Sequence, residues 1–160
     1  MKTKTVALKE EQNVKAKRKA VEYTLKANKT AFDRVQLRGA ESAVDYLRHF
    51  FFDDINIYES CFMMLLNRSN TVIGYVKISQ GGITGTVVDP LLVAKYAIDS
   101  LAKGVILCHN HPSGQLKPSD GDDAITFKVK GGLDMFGITL LDHIILTESG
   151  YYSYADEGRI

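Results

Sequence analysis

Residues 105–123 read VILCHNHPSGQLKPSDGDD, and the fold depends on how that stretch is understood. Val105 to Cys108 is a short, continuous apolar run, as expected of a strand covered on both faces. It ends at His109 and His111, two positions apart. Alternate residues of an extended chain share a face, so both imidazoles can reach one point. Pro112 and Gly114 then turn the chain back, and a helix opens at about Ser119 with Asp122 on its first turn. A carboxylate there can swing toward the same point. Two imidazoles and one carboxylate are a common catalytic zinc set, with a fourth position left for water whose pKa the metal lowers towards neutrality. The spacing thus predicts one zinc ion between His109, His111 and Asp122. A second reading stays open: Ser119 and Asp122 also fit the Ser-x-x-acid pattern of a helix start, where they would cap.

Helices and strands alternate on either side of this stretch. Ala40 to Phe52 forms an amphipathic pattern, with Val44, Leu47 and Phe51 on one side and Glu41, Asp45 and Arg48 on the other. Cys61 to Leu66 (CFMMLL) reads as a doubly covered strand. A polar turn over Asn67–Asn70 returns it as Thr71–Ile78 (TVIGYVKI), which makes a β-hairpin. Gly81, Gly82 and Gly85 mark a flexible connection. Pro90 suits the first turn of a helix capped by Asp89 and running to about Ala102. A long strand is expected within Gly137–Leu146 and a short one over Tyr151–Tyr154, while residues 21–38 suggest a strand or two leaning on the body. The class is α/β, a mixed sheet flanked by helices. GGITG lacks the Lys-Ser/Thr pair of a phosphate loop.

A chain of 160 residues is one domain in size and buries a core without staples. Cys61 and Cys108 both sit in apolar runs, which argues against a disulfide scaffold and for a reducing cytoplasm. The lysine-rich start has no apolar stretch behind it, so no signal peptide is expected, and no run has the length of a membrane span. Charge is uneven: residues 1–38 hold 11 Lys/Arg against 4 Asp/Glu, and residues 39–160 hold 9 against 15. This divides the chain into a basic, partly flexible arm (1–38) and a domain (39–160). Such an arm is either a solvated leader or a contact for phosphate backbones, which keeps DNA open as a partner.

The pattern His-x-His-Pro-x6-Ser-x2-Asp, met by His109, His111, Pro112, Ser119 and Asp122, resembles the JAMM metal motif of JAB/MPN domains. ILCHNHPSG, KPSDGDD, GTVVDP, LDHIIL and YYSYADEG narrow the resemblance to the RadC family, its short form in particular, over residues 40–158. The resemblance implies a JAB/MPN fold similar to that of the cytidine deaminases, with His109, His111 and Asp122 as ligands. It implies that Ser119 hydrogen-bonds the developing oxyanion or the bound water. It makes Glu59, directly ahead of Ser60 and CFMMLL, the general base that takes a proton from water and hands it to a leaving amine. By itself a Glu at a strand entry is an ordinary exposed residue. Glu41 is the reserve candidate, although a Glu opening a helix is accounted for by the helix dipole.

The implied activity is zinc-dependent hydrolysis of an amide bond, peptidase- or isopeptidase-like, on an unknown peptide or protein substrate, with a nominal link to DNA repair. The alternative is a metal-stabilised, non-catalytic binding module in DNA repair or recombination. Longer RadC proteins carry a helix-hairpin-helix-like region ahead of this domain. Residues 1–38 are too short and too basic to be one, so a DNA role would use the arm or a partner protein. JAB/MPN surfaces often pair with like domains, which makes a homodimer a further expectation.

Several other residues are weighed against plainer roles. Asp142 and His143 are neighbours on a strand and point to opposite faces. One of them supports the metal site from behind or closes the core, and a structural role is expected. His49 has no evident partner, and Tyr151, Tyr152 and Tyr154 suit packing better than base stacking. The letters H-N-H at 109–111 do not match the nuclease signature, which spreads over a longer ββα unit. Zinc deaminases need His-x-Glu and Cys-x-x-Cys, whereas these two cysteines stand 47 positions apart.

Overall fold

The structure is a computed structural model that describes residues 20–24, 26–51, 53–82 and 86–160. Its elements run α1 (Ala40–Arg48), β1 (Ser60–Leu66), β2 (Val72–Gln80), α2 (Pro90–Asp99), β3 (Gly104–Asn110), α3 (Asp120–Asp134), β4 (Thr139–Leu146) and β5 (Tyr151–Ser153). The strands form one mixed sheet in the order β2-β1-β3-β4-β5, antiparallel throughout except for the parallel pair β3–β4. This is the α/β architecture expected from the sequence.

The two apolar runs occupy the sheet's interior. Every residue of β1 and of β3 is buried, because helices cover both faces. Phe62, Met64, Leu66, Ile106 and Cys108 face α1, where they meet Ala43, Val44, Leu47 and Phe51. Cys61, Met63, Leu65, Val105 and Leu107 face the other way, onto Val93 and Ala97 of α2 and Val129 and Leu133 of α3. Fully burying each such side chain contributes roughly 1.5–3 kcal/mol, so these two strands anchor both layers. With β3 central, the β3–α3 connection opens at the carboxyl ends of the parallel pair. Ligand sites of open α/β sheets lie there.

One irregularity sets the phase of β4. A bulge lies opposite Val105 and Ile106: Val105 pairs with Leu140, but Ile106 pairs with Asp142. The extra residue, Leu141, turns to the α1 side. Leu140 and His143 therefore share the face toward α2 and α3 although three positions separate them. Without the bulge His143 would point away from β3's histidine face.

Several sequence expectations need correction. The strands expected within 21–38 reduce, among the described residues, to a single bridge between Gln36 and Thr71. Val35 and Leu37 add backbone bonds to Val72 and Asn70, and Leu37 enters the core. The apolar alternation there is too short to form a sixth strand, and Phe32 instead packs edge-on against Phe50 and Tyr75. The first helix stops at Arg48, not Phe52, because the chain tightens into a turn that drops Phe51 into the core. Arg48 there donates to the carbonyls of Thr147 and Gly150, tying α1 to the β4–β5 turn. Helix α2 ends at Asp99 rather than Ala102, since Leu101 takes a left-handed φ of 56°. Residues 1–19 and Leu25 of the basic arm, Phe52, and Gly85 of the flexible connection lie outside the described residues. Among the described residues, no helix is long and apolar enough to cross a membrane.

Candidate metal centre

Strand β3 delivers the two histidines. His109 is its penultimate residue, and the chain stays extended far enough for His111 to return to the same face. The rings meet edge to face with Nε2 atoms 3.0 Å apart. His111 is then fixed by the turn behind it. Gly114 adopts a φ of +79°, which L side chains rarely reach, and its N–H bonds the His111 carbonyl. That turn brings the Gln115 carbonyl 2.6 Å from His111 Nδ1. A carbonyl only accepts, so Nδ1 carries a proton, and the neutral ring offers its lone pair at Nε2.

Helix α3 delivers the carboxylate, and the two readings of Ser119 and Asp122 prove compatible. Ser119 is the N-cap: its hydroxyl oxygen accepts from Asp122 N at 3.1 Å, and its backbone N donates to Asp122 Oδ2 at 2.7 Å. This is a reciprocal capping box. It occupies Oδ2 and leaves Oδ1 directed at His109 Nε2, 3.1 Å away, with His111 Nε2 3.6 Å from Oδ2. The cap therefore aims the ligand. One donor atom from each of His109, His111 and Asp122 lies within 4.8 Å of the others, a set that can hold a metal ion. With both rings neutral, two Nε2 lone pairs and a carboxylate oxygen converge there, a donor set of the kind that suits zinc.

Charge pairing also holds these three groups together. Burial alone would raise the Asp122 carboxyl, but the protonated forms of His109 and His111, which donate to it, outweigh burial and carry the carboxyl well below its usual range. The hydrogen bond to Asp122 also raises His111, against the effect of burial. Cys61 on β1 pairs with His109 and is buried, which pushes its thiol up to about 12 and keeps it a packing group.

Glu59 lines the same cleft, of about 620 Å³, together with His109, His111, Ser119 and Asp122. Cys61 pairs with His109, and continuing that register places Glu59 opposite His111. Its backbone bonds to Gly81 and Gly82, and its Oε1 accepts from Thr86 N at 3.3 Å. Ser119 lies at the cleft too, but its hydroxyl proton goes to Asp122 Oδ2 at 2.6 Å. Contact with an oxyanion requires that hydroxyl to turn away from the ligand. Glu41 lies on α1, which packs on the opposite face of the sheet.

Two buried residues complete the arrangement. His143 lies behind His109, its Nε2 2.8 Å from His109 Nδ1, and its ring stacks on Tyr154 at 5.2 Å. Burial holds it well below the usual histidine range, so it is neutral. Of the pair Asp142 and His143, it is therefore His143 that backs the site. Asp142 points the other way and accepts from Ser153 and Ala155. Asn110, which the sequence reading passed over, faces away from the cleft and is fully buried. Its Oδ1 accepts from Ser60 N at 2.8 Å, and its Nδ2 donates to the carbonyls of Ile55 and Tyr58 at 2.6 and 2.8 Å. One tripeptide thus presents two imidazoles on one face and holds the Glu59 segment from the other. The signal was a polar residue between two histidines on a doubly buried strand, where an amide needs partners. Tyr154 is buried and bonds Asp123, a packing role as expected, whereas the His49 ring lies against the Phe32 ring.

A family profile described as the RadC-like JAB domain matches residues 37–159. The chain belongs to the RadC family. Two relatives of this RadC domain are the UPF0758 proteins of Flavobacterium johnsoniae, 48% identical over 63% of this chain, and of Porphyromonas gingivalis, 40% identical over 64%. A UPF0758 protein of Streptococcus sanguinis is 40% identical over 58%. The matches cover 44%, 45% and 40% of those proteins, so this chain spans less than half the length of the curated relatives it matches.

Proposed function

We propose that this RadC domain is a zinc-dependent hydrolase of amide bonds, peptidase- or isopeptidase-like. The observation that carries the reading is the convergence of His109, His111 and Asp122 in a cleft that Glu59 also lines. Those three residues would hold zinc, which would supply Lewis acidity and lower the pKa of a water toward neutrality. Glu59 takes the proton of the attacking water and returns it to the departing amine. Ser119 keeps Asp122 oriented, and the Gln115 carbonyl keeps His111 in the tautomer that offers Nε2. Val88, Ile125 and Pro112 supply apolar wall on which a peptide can lie.

Metal content is measured in the parent and in His109→Ala/His111→Ala. The expected result is about one zinc per chain in the parent and none in the variant, as for a three-ligand site. Peptide and isopeptide hydrolysis is then compared with Glu59→Ala, which should keep its zinc and lose about 10²–10⁴-fold in rate. A parent that takes up no zinc when it is supplied, or a Glu59→Ala variant as fast as the parent, overturns the reading. The basic stretch 1–38 favours a second one, a metal-stabilised module that binds DNA without cleaving it. That reading requires zinc uptake together with salt-sensitive DNA binding unaffected by Glu59→Ala.

A further inference from the structure

Behind the three donors runs a closed chain of buried polar atoms. Thr126, on the second turn of α3 and fully buried, places its Oγ1 2.5 Å from the Asp122 carbonyl and 2.6 Å from His143 Nδ1. His143 Nε2 in turn lies 2.8 Å from His109 Nδ1. The direction of every proton in this chain follows from its first link. A backbone carbonyl only accepts, so the single hydroxyl proton of Thr126 goes to Asp122 O. The Thr126 oxygen must then accept from His143, which puts the His143 proton on Nδ1. His143 Nε2 is left with a lone pair and accepts from His109 Nδ1–H. In the neutral ring His109 Nε2 is then the bare nitrogen, and it faces Asp122 Oδ1.

We propose that His143 and Thr126 are positioning residues of the metal centre, fixing His109 in the tautomer that offers Nε2 and tying β3's ligand to the helix that carries Asp122. The inference rests on the reading that His109, His111 and Asp122 hold zinc. It adds that the site is set up from β4 and from the body of α3, not by the ligands alone. The opposite proton order, with Thr126 donating to His143 and His143 to His109, would put a proton on His109 Nε2 and close that ligand. The Asp122 carbonyl at 2.5 Å selects against it. Outer hydrogen bonds of this kind commonly change metal affinity by 10–100-fold.

The test uses Thr126→Val, which keeps the shape and removes the hydroxyl, and Thr126→Ser, which restores it. Zinc affinity is measured by chelator competition, and fold by thermal unfolding of the metal-free proteins. Histidine tautomers of the zinc-loaded parent are read from long-range proton–nitrogen NMR correlations. The expected results are a 10–100-fold weaker zinc affinity for Thr126→Val, recovery in Thr126→Ser, and His143 protonated at Nδ1. Metal-free melting shows that each variant is folded at the temperature of the competition; a purely structural role would lower melting but leave the zinc affinity of the folded protein at the parent's value. Equal affinities for the parent and Thr126→Val, or His143 protonated at Nε2, overturn the inference and leave the zinc site standing. A parent that binds no zinc overturns both.

Discussion

At the scale of single residues, each donor reaches the centre because a neighbour has a fixed reason to hold it. His111 is held by a carbonyl that a left-handed glycine swings into place, and Asp122 by a cap that spends only one of its oxygens. The donor set was legible in the sequence because the period of a strand and the first turn of a helix translate directly into shared direction. What holds the donors was not legible. His143 stands 34 positions from His109, and no periodicity predicts that their rings touch. Asn110 was hidden for the opposite reason, since attention to its two neighbours masked the face it occupies. Asn110→Ala leaves Ser60 N–H and two carbonyls without their buried partner, at a cost of about 2–4 kcal/mol. Urea unfolding should show that loss while zinc stoichiometry stays at the parent's value. An unchanged midpoint would mean that the Glu59 segment is held by other contacts.

Elements obey coarser rules, and here the sequence was most informative where burial is complete. CFMMLL and VILC were legible as strands because a short apolar run bounded by polar or glycine-containing turns suits a doubly covered strand and is too short for a buried helix. Ends were less legible: α1 gives way at Arg48 to a tight turn that sends Phe51 into the core, and the Arg48 side chain reaches the β4–β5 turn across 99 positions of sequence. The bulge in β4 was invisible, since an extra residue leaves no mark on an apolar run. The bulged leucine packs over one small residue: a Cβ on Gly104, which pairs with Thr139, would lie 2.5 Å from Leu141 Cδ1 and 3.2 Å from its Cγ. Gly104→Ala should therefore cost about 1–3 kcal/mol by displacing the bulged leucine. Because the bulge sets the phase of His143, the variant should also weaken zinc binding, although Gly104 lies at the far end of β3 from the ligands. Calorimetric melting and chelator competition read the two effects separately, and a variant with parental zinc affinity would uncouple bulge from site.

For the molecule as a whole, the sheet order makes β3 the strand on which everything converges. The three donors lie between residues 109 and 122, on one strand end, one loop and one helix start. Glu59 comes from the other side of the sheet order and reaches the cleft only through the antiparallel pairing of β1 with β3. That difference in sequence distance bears on the order of assembly during folding. Bringing Asp122 to His109 closes a loop about four times shorter than bringing Glu59 to His111, an entropic advantage of roughly 1 kcal/mol. In refolding with zinc present, pulse-labelled hydrogen exchange should protect the amides of Asp120–Asp134 before those of Ser60–Leu66. Simultaneous protection would show that the two halves form together. If the metal and Glu59 act as proposed, a chain caught partway would be a metal trap without a base, able to scavenge its ion before it has any means of using it.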